Sequence, residues 1–261
     1  MSTFWIHPSF VLQYEKDHLQ YAPHSHHAVQ ILFSQNDSIE ITSNNIFTIH
    51  QQLIVIPHNS IHQFSTRSPY LSIYLDPKTK VANQILNYAK ASIDFNIDLS
   101  KFLKFYKEIS LEQIPPKNIS NRLEEVLLDL FNESNSQNCF GTYKQIIDER
   151  VLNCLDLIER YSSQGEPIKP SQLAKVCNLS MFRLVHLFSE NVGIPIRSYA
   201  LWCKMRNAIS FLMSKESMID SSYRAYFSDQ SHFSRSFKRM FGINPSEIFQ
   251  DPSKFETFFI L

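Results

Sequence analysis

The chain has 261 residues, 43% hydrophobic and 13% aromatic, enough apolar material for one large core or two ordinary ones, which excludes a disordered polypeptide. Its 25 basic and 25 acidic residues cancel, so total charge selects no partner. The four glycines, at 141, 165, 193 and 242, are scattered, which excludes the phosphate-cradling P-loop and dinucleotide fingerprints, and no G-x-S-x-G nucleophile elbow occurs.

The four cysteines, Cys139, Cys154, Cys177 and Cys203, form no C-x-x-C pair and are expected to be free thiols of a reducing compartment. The opening MSTFWIHPSF lacks the basic start and apolar run of a secretory leader. No stretch approaches the ~18 apolar residues of a membrane span, so a cytoplasmic protein with no membrane partner is expected.

In chain order, residues 1 to about 76 read as short strands: AVQILFS, SIEIT, IFTIH, QLIVIP and YLSIYL are rich in β-branched and aromatic residues and separated by polar breaks. Many short strands at close spacing predict a sandwich or small barrel. The pattern turns helical after Lys80, with VANQILNYAKA and then NRLEEVLLDLFNE, whose Leu123, Val126, Leu127, Leu130 and Phe131 share one face. That stripe either completes the N-terminal core or meets a second subunit. Residues 134–141, SNSQNCFG, read as a linker. From Thr142 onward the pattern is helical, ending in an apolar tail, KFETFFIL, expected to tuck into a groove of its own domain. Charge follows the division: Glu166 to Gln250 holds eleven basic and six acidic residues, Met1 to Arg150 twelve and fifteen.

An internal repeat organises the helical half. LVHLFSENVGIPIRSY, from Leu184, aligns with FSRSFKRMFGINPSEI, from Phe233, at an offset of 49 residues. Leu184 meets Phe233, Phe188 meets Phe237 and Gly193 meets Gly242, each glycine suiting the left-handed residue that ends a helix. A short helix and tight turn precede each repeat, giving two helix-turn-helix units. Leu173, Ala174, Leu179, Leu184 and Leu187 supply the apolar positions of the first, with Ser180 as N-cap; Ser228 or Asp229 caps the second. Tyr199 to Met213 reads as a linking amphipathic helix. Phe233, Phe237 and Phe241 would anchor the last long helix, leaving Gln230, Ser231, Ser234, Arg235 and Lys238 outside. Arg suits guanine, Gln suits adenine, and Ser and Lys suit phosphate. An ordinary solvated face is the plainer alternative for one such helix; two repeated units favour double-stranded DNA, read in successive major grooves roughly 34 Å apart.

Residues of about 145 to 250 resemble the AraC/XylS-type transcription regulators, chiefly through FSDQSHFSRSFKRMFGINPSEI, with support from SQLAKVCNLS and LFSENVG. The resemblance implies that Phe182, Val185 and His186, with Arg183 beside them, face DNA in the first unit, and Gln230, Ser231, Ser234 and Arg235 in the second. The chain departs from the family pattern at Tyr226, where glycine is usual, at Ser221-Ser222, where isoleucine-alanine is usual, and at His186, where arginine is often seen.

The N-terminal HSHHAVQ and PHNSIHQF partly resemble the metal-ligand motifs of cupin barrels, H-x-H-x-x-x-E and P-x-G-x-x-H. The equivalent positions are His24, His26, Gln30 and His62, with Asn59 in place of glycine; neutral Gln30 removes the anionic ligand. A metal-free pocket that binds a small effector through these four residues, or merely holds structure, is the expectation, with Tyr14 and Phe64 also lining it. A retained three-histidine metal site and a metal enzyme are the alternatives. The sequence therefore predicts an α+β multidomain chain: residues 1–138 a cupin-like barrel with trailing helices for sensing and dimerisation, residues 142–261 an AraC-type DNA-binding domain with two helix-turn-helix units. It would be a homodimeric regulator and not an enzyme; the rival is a cupin enzyme or a binding protein without a DNA role.

Overall fold

The computed structural model describes residues 2–7, 9–16, 21–35, 39–43, 46–50, 52–77, 79–91, 99–130, 148–164, 168–249 and 255–260. The expected linker at 134–141, with Phe131 and Cys139, lies outside them. The chain forms two compact units: Met1–Tyr143 with Phe241–Ile243 and Asp251–Leu261, and Lys144–Met240 with Asn244–Gln250.

The first unit holds strands β1 (Ser2–His7), β2 (Phe10–Glu15), β3 (Val29–Ser34), β4 (Ile39–Ser43), β5 (Ile46–His50), β6 (Leu53–Ile56), β7 (His62–Ser65) and β8 (Tyr70–Leu75), then helices α1 (Lys80–Ala91), α2 (Ser100–Ser110) and α3 (Ile119–Leu130). One sheet runs β6-β3-β8-β2-β1 and continues to a strand from the C-terminal tail; a second runs β5-β4-β7. Among the described residues the two sheets do not close on each other, and the architecture is a barrel-like sandwich.

Register sorts the six-stranded sheet into two faces, because side chains alternate along a strand. Leu12 pairs with Ile73 and Ile31 with Ile73, placing Trp5, Leu12, Ile31, Phe33, Leu71 and Ile73 on one side. These residues are buried with Val81, Phe102, Phe105, Ile109, Leu123, Val126 and Leu127 of the three helices. The stripe of α3 thus completes the core of its own chain. Sequence reading passed over α2, although Phe102, Phe105, Tyr106 and Ile109 carry a helical spacing.

The opposite face is polar. Gln13 pairs with Ser72, Glu15 with Tyr70, and Gln30 with Tyr74. Gln13, Glu15, Gln30 and Ser72 are nevertheless buried, because this face looks toward the smaller sheet: Phe64 of β7 packs edge-on to Tyr70, with ring centroids 5.5 Å apart. Buried polar atoms need partners, and here Gln30 and Ser72 bond at 2.8 Å and the Tyr21 and Tyr70 hydroxyls at 2.7 Å.

The tail corrects one expectation. It does not enter a groove of the helical domain but forms β9 (Phe255–Phe259), parallel to β1. Phe258 stacks on Trp5 at 5.9 Å and the Ile260 N–H donates to the Ile6 carbonyl at 2.8 Å. The physical reason is the open edge of β1: its unpaired backbone groups accept another strand, and Ile260 joins the apolar core.

The second unit contains α4 (Glu149–Gln164), α5 (Pro170–Val176), α6 (Met181–Val192), α7 (Ile196–Met213), α8 (Met218–Arg224), α9 (Gln230–Phe241) and α10 (Pro245–Phe249). α7 packs against α4, α6 and α8. The Tyr199 hydroxyl donates to Glu159 at 2.6 Å and the Asn207 amide to the Ser162 carbonyl at 2.8 Å, fastening α7 to α4. Its buried side includes Trp202, Met205, Ala208, Leu212 and Met213.

The second helix-turn-helix unit departs from an ideal turn where the sequence departed from the family pattern. Tyr226 sits at φ 62°, a left-handed conformation costly for a residue with a Cβ, held by Lys204, whose ammonium donates to the Tyr226 carbonyl at 3.0 Å. Ser221 and Ser222 are fully buried; Ser222 returns its hydroxyl to the Met218 carbonyl at 2.6 Å, while Ser221 Oγ has no hydrogen-bond partner among the described residues. Tyr226→Gly relieves the left-handed cost of about 1–2 kcal/mol against glycine's entropic cost of about 0.5–1 kcal/mol. Ser221→Ala removes an unpaired buried hydroxyl, a gain of about 1 kcal/mol. Differential scanning calorimetry should show each variant raising the transition temperature of the helical unit by several degrees; a decrease in both would contradict this packing.

Candidate nucleic-acid interface and inner-face histidine cluster

The aligned helices of the repeat, α6 and α9, have twelve residues each and begin 49 residues apart. Each is rolled by its apolar stripe. In α6, Leu184, Leu187 and Phe188 are buried; in α9, Phe233, Ser236 and Phe237 are. Phe241, expected to continue the stripe, is half-buried. Gly193 and Gly242 take φ 78° and 73°, the left-handed geometry foreseen for both helix ends.

Rolling the stripes inward leaves the opposite faces outside. On α6, Phe182, Arg183, Val185 and His186 are exposed, Phe182 at 75%, and its ring packs against His186 at 4.4 Å. A phenylalanine so exposed has little folding role in this unit and suits contact with an apolar base edge such as the thymine methyl. On α9, Gln230, Ser231, Arg235 and Lys238 are exposed and Ser234 is half-buried. Arg239, also exposed, adds a cation one turn beyond Arg235; the i,i+4 spacing was visible in the sequence and was passed over.

Both helices have built N-termini. Ser180 accepts the Arg183 backbone N–H at 3.2 Å. Asp229, of the two candidates, caps α9, accepting the His232 N–H at 2.6 Å. That bond, then the Ser228 hydroxyl, holds the Asp229 carboxyl below its ordinary range. The first turn uses Asn178 at φ 51° and the second Tyr226; asparagine tolerates this conformation better than tyrosine.

In the first unit, the structure brings His24, His26 and His62 together: all are buried, and their ligand nitrogens lie within 4.8 Å of one another. Two backbone hydrogen bonds between His24 and His62, each 2.9 Å, lock the strand segments that carry them. Each imidazole Nδ1 faces a carbonyl: His24 to Ala22 at 2.8 Å, His26 to Ala28 at 3.0 Å, His62 to Ser60 at 2.9 Å. A carbonyl only accepts, so Nδ1 carries the proton and Nε2 the lone pair in His24 and His62, whereas the neutral His26 ring, with Ala28 O at Nδ1 and Gln30 Oε1 at Nε2, donates to one of the two. Gln30 joins the cluster, its amide 3.1 Å from His26 Nε2. The Gln30 NH2 donates to the Ser72 hydroxyl at 2.8 Å and its Oε1 faces His26 Nε2, so the His26 ring stands between two carbonyl oxygens. Burial, then the neighbouring imidazoles, lowers His24 to about 4 and His26 to about 3; burial lowers His62 as well. The rings are therefore neutral at pH 7.

Asn59, standing where the cupin-like motif has glycine, takes φ 59° and so supplies the same left-handed turn. Phe64 lies beside this cluster through Tyr21, stacked at 4.9 Å. Tyr14 does not: it faces the helices, edge-on to Tyr106 at 5.8 Å. Strand alternation places its neighbours Gln13 and Glu15 on the inner side instead.

A family model described as a helix-turn-helix domain matches residues 173–258. The Msm operon regulatory protein of Streptococcus mutans is 29% identical over 134 residues, 50% of this chain and 44% of that protein. The lactose operon transcription activator of Staphylococcus xylosus is 27% identical over 109 residues, 41% and 38% of the two chains. The HTH-type transcriptional regulator ExsA of Pseudomonas aeruginosa is 23% identical over 149 residues, 57% and 53%. The chain spans about half the length of the curated relatives it matches. The matched segment, residues 173–258, is thus a helix-turn-helix domain. Among solved structures, ToxT from Vibrio cholerae O395 has a TM-score of 0.57 at 12% identity over 92% of this chain and 97% of that one. ToxT of V. cholerae strain SCE256 with bound unsaturated fatty acid also scores 0.57, at 14% identity over 92% and 95%. At these identities the likeness shows the fold.

If exposure on α6 serves binding and not folding, Phe182→Ala leaves the thermal transition within about 0.5 kcal/mol of the parent, while lowering affinity for a selected duplex. A folded variant with unchanged DNA affinity would remove Phe182 from the interface.

Proposed function

We propose that the protein is a sequence-specific DNA-binding transcription regulator controlled by a small effector held on the inner face of its N-terminal unit. The observation that carries this reading is the duplication: two helix-turn-helix units present exposed helices with Phe182, Arg183, Val185 and His186 on one and Gln230, Ser231, Ser234, Arg235 and Lys238 on the other. The named relatives are transcription regulators, which supports it. Within the AraC-type reading the chain is not an enzyme.

In the binding step, the N-terminal turn of each helix enters a major groove. Arg235 offers a bidentate donor to guanine and Gln230 pairs with adenine, while Lys238, Arg183 and Arg239 neutralise phosphates. His186 is a weaker guanine reader than arginine, because it donates through one ring nitrogen unless protonated. Phe182 and Val185 favour thymine methyl contact.

His24, His26, Gln30 and His62 are the proposed effector contacts. The SCE256 ToxT structure holds an unsaturated fatty acid; the inner face of this chain suits a different effector class. Among the described inner-face residues there is a carboxylate, Glu15, and neither Lys nor Arg, so a fatty-acid carboxylate lacks a basic side chain there. Effector binding shifts the population between forms that occupy different operator spacings, which requires a difference in affinity between those forms.

We place the regulator in the cytoplasm; among the described residues no helix is long and apolar enough to cross a membrane. Its working form is taken to be a homodimer, with a surface other than the buried stripe of α3. Sedimentation of the full chain checks this.

Selection of bound fragments from a genomic library, followed by titration at several salt concentrations, tests the DNA role. A specific duplex should emerge whose affinity falls steeply with salt. Arg235→Ala should cost ~1–3 kcal/mol and relax preference at one position, whereas Lys238→Ala should weaken all duplexes alike and reduce the salt slope by about one. Failure to enrich any duplex, with or without cell extract, would falsify the regulator reading.

A further inference from the structure

We infer that His24, His26 and His62 form a binding site for one borderline divalent transition-metal ion of the zinc, cobalt or nickel class. Three features of the first unit carry this, none of which depends on DNA binding. The first is convergence: the rings come from two separated segments, His24 and His26 on one and His62 on the other, all are buried, and their centroids lie 4.3, 5.0 and 5.8 Å apart.

The second is orientation. All three Nδ1 atoms are tied to backbone carbonyls, at 2.8, 3.0 and 2.9 Å. At His24 and His62 that is the outer shell a metal-binding histidine needs: it fixes the tautomer, leaves Nε2 to bind and raises its donor strength; His26 takes the same form once an ion replaces Gln30 Oε1 at its Nε2. Ordinary core histidines need only one satisfied polar contact, and nothing requires three of them to choose the same ring nitrogen.

The third is an orphan. His62 Nε2 is buried and has no hydrogen-bond partner among the described residues. A buried lone pair without a donor is costly, and an ion at the centre of the cluster relieves it. His26 Nε2 would exchange its Gln30 contact for the ion, freeing that amide to hold whatever else the ion binds.

Metal–nitrogen bonds of ~2.0–2.1 Å require nitrogens about 3.3 Å apart in tetrahedral geometry. The cluster spans up to 4.8 Å, so the rings close inward on binding. Donor chemistry sets the ion class. Imidazole nitrogen suits zinc, cobalt and nickel, whereas magnesium and calcium require oxygen ligands. Gln30 in the fourth position of the motif leaves the ion's charge unopposed and a coordination position open. That position suits a water or an oxygen atom of a small molecule, in keeping with an inner face that carries no Lys or Arg among its described residues.

The test uses the full-length chain, stripped with chelator and dialysed. Titration with Co²⁺ should give a stoichiometry of one, with visible absorption bands characteristic of nitrogen-coordinated cobalt, displaced by Zn²⁺. Mg²⁺ and Ca²⁺ should not compete. His62→Ala and His26→Ala should each weaken Co²⁺ binding by more than the about 10–100-fold of an outer-shell loss, and His58→Ala should not. Gln30→Glu restores an anionic ligand and should tighten binding. If His62→Ala does not fold, the cobalt spectrum of the unaltered chain still decides. No stoichiometric binding by that chain, binding unchanged in folded His26→Ala, or preference for Mg²⁺ over Zn²⁺ overturns the site. Because the readout involves no DNA, its failure leaves the regulator reading standing, and the reverse holds too.

Discussion

The roll of two helices about their own axes decides what this protein can touch. Leu184, Leu187 and Phe188 pull one side of α6 inward; Phe233 and Phe237 do the same for α9. Each fully buried large side chain contributes roughly 1.5–3 kcal/mol, far more than any one solvent-facing polar group. The apolar stripe therefore sets the orientation and the polar face follows. Phe182 and Arg235 are outside because Leu184 and Phe233 are inside.

The second helix-turn-helix unit is built less comfortably than the first. Asn178 accepts its left-handed turn readily, whereas Tyr226 needs the Lys204 ammonium on its carbonyl. Ser221 buries a hydroxyl that finds no partner among the described residues, and Ser222 spends its own on the Met218 carbonyl.

The repeat was legible because glycine is scarce. Two of four glycines fall in register, and helix ends need the left-handed conformation that both adopt. Ser180 as a cap and the outward face of α9 followed from spacing, whereas the outward residues of α6 came from the resemblance to AraC/XylS-type regulators. The gathering of His24, His26 and His62 was legible only through the partial cupin-like motif; nothing in local spacing brings residue 62 to residue 24. Less legible were contacts set by sheet topology. Tyr14 was expected in the pocket, but the decisive fact, which side of β2 faces the helices, depends on register with β8. The tail's pairing with β1 was hidden for the same reason: it joins residues over 250 positions apart in sequence, and an apolar tail reads alike whichever edge receives it. α2 was missed although its periodicity was present.

The same alternation produces both faces of the N-terminal sheet. One carries Leu12, Ile31 and Ile73 into the helix-covered core. The other buries Gln13, Glu15, Gln30 and Ser72, which costs stability unless each finds a partner. Gln30 and Ser72 offset that cost by bonding to each other, and the histidine cluster adjoins the same layer through Gln30. The most direct check of the regulator account is methylation interference at guanine N7 on a selected duplex bound by the full chain. The account predicts interference in two major-groove segments one helical turn apart, the one read by α9 lost in Arg235→Ala. Interference confined to a single segment and unaltered by that substitution would contradict it.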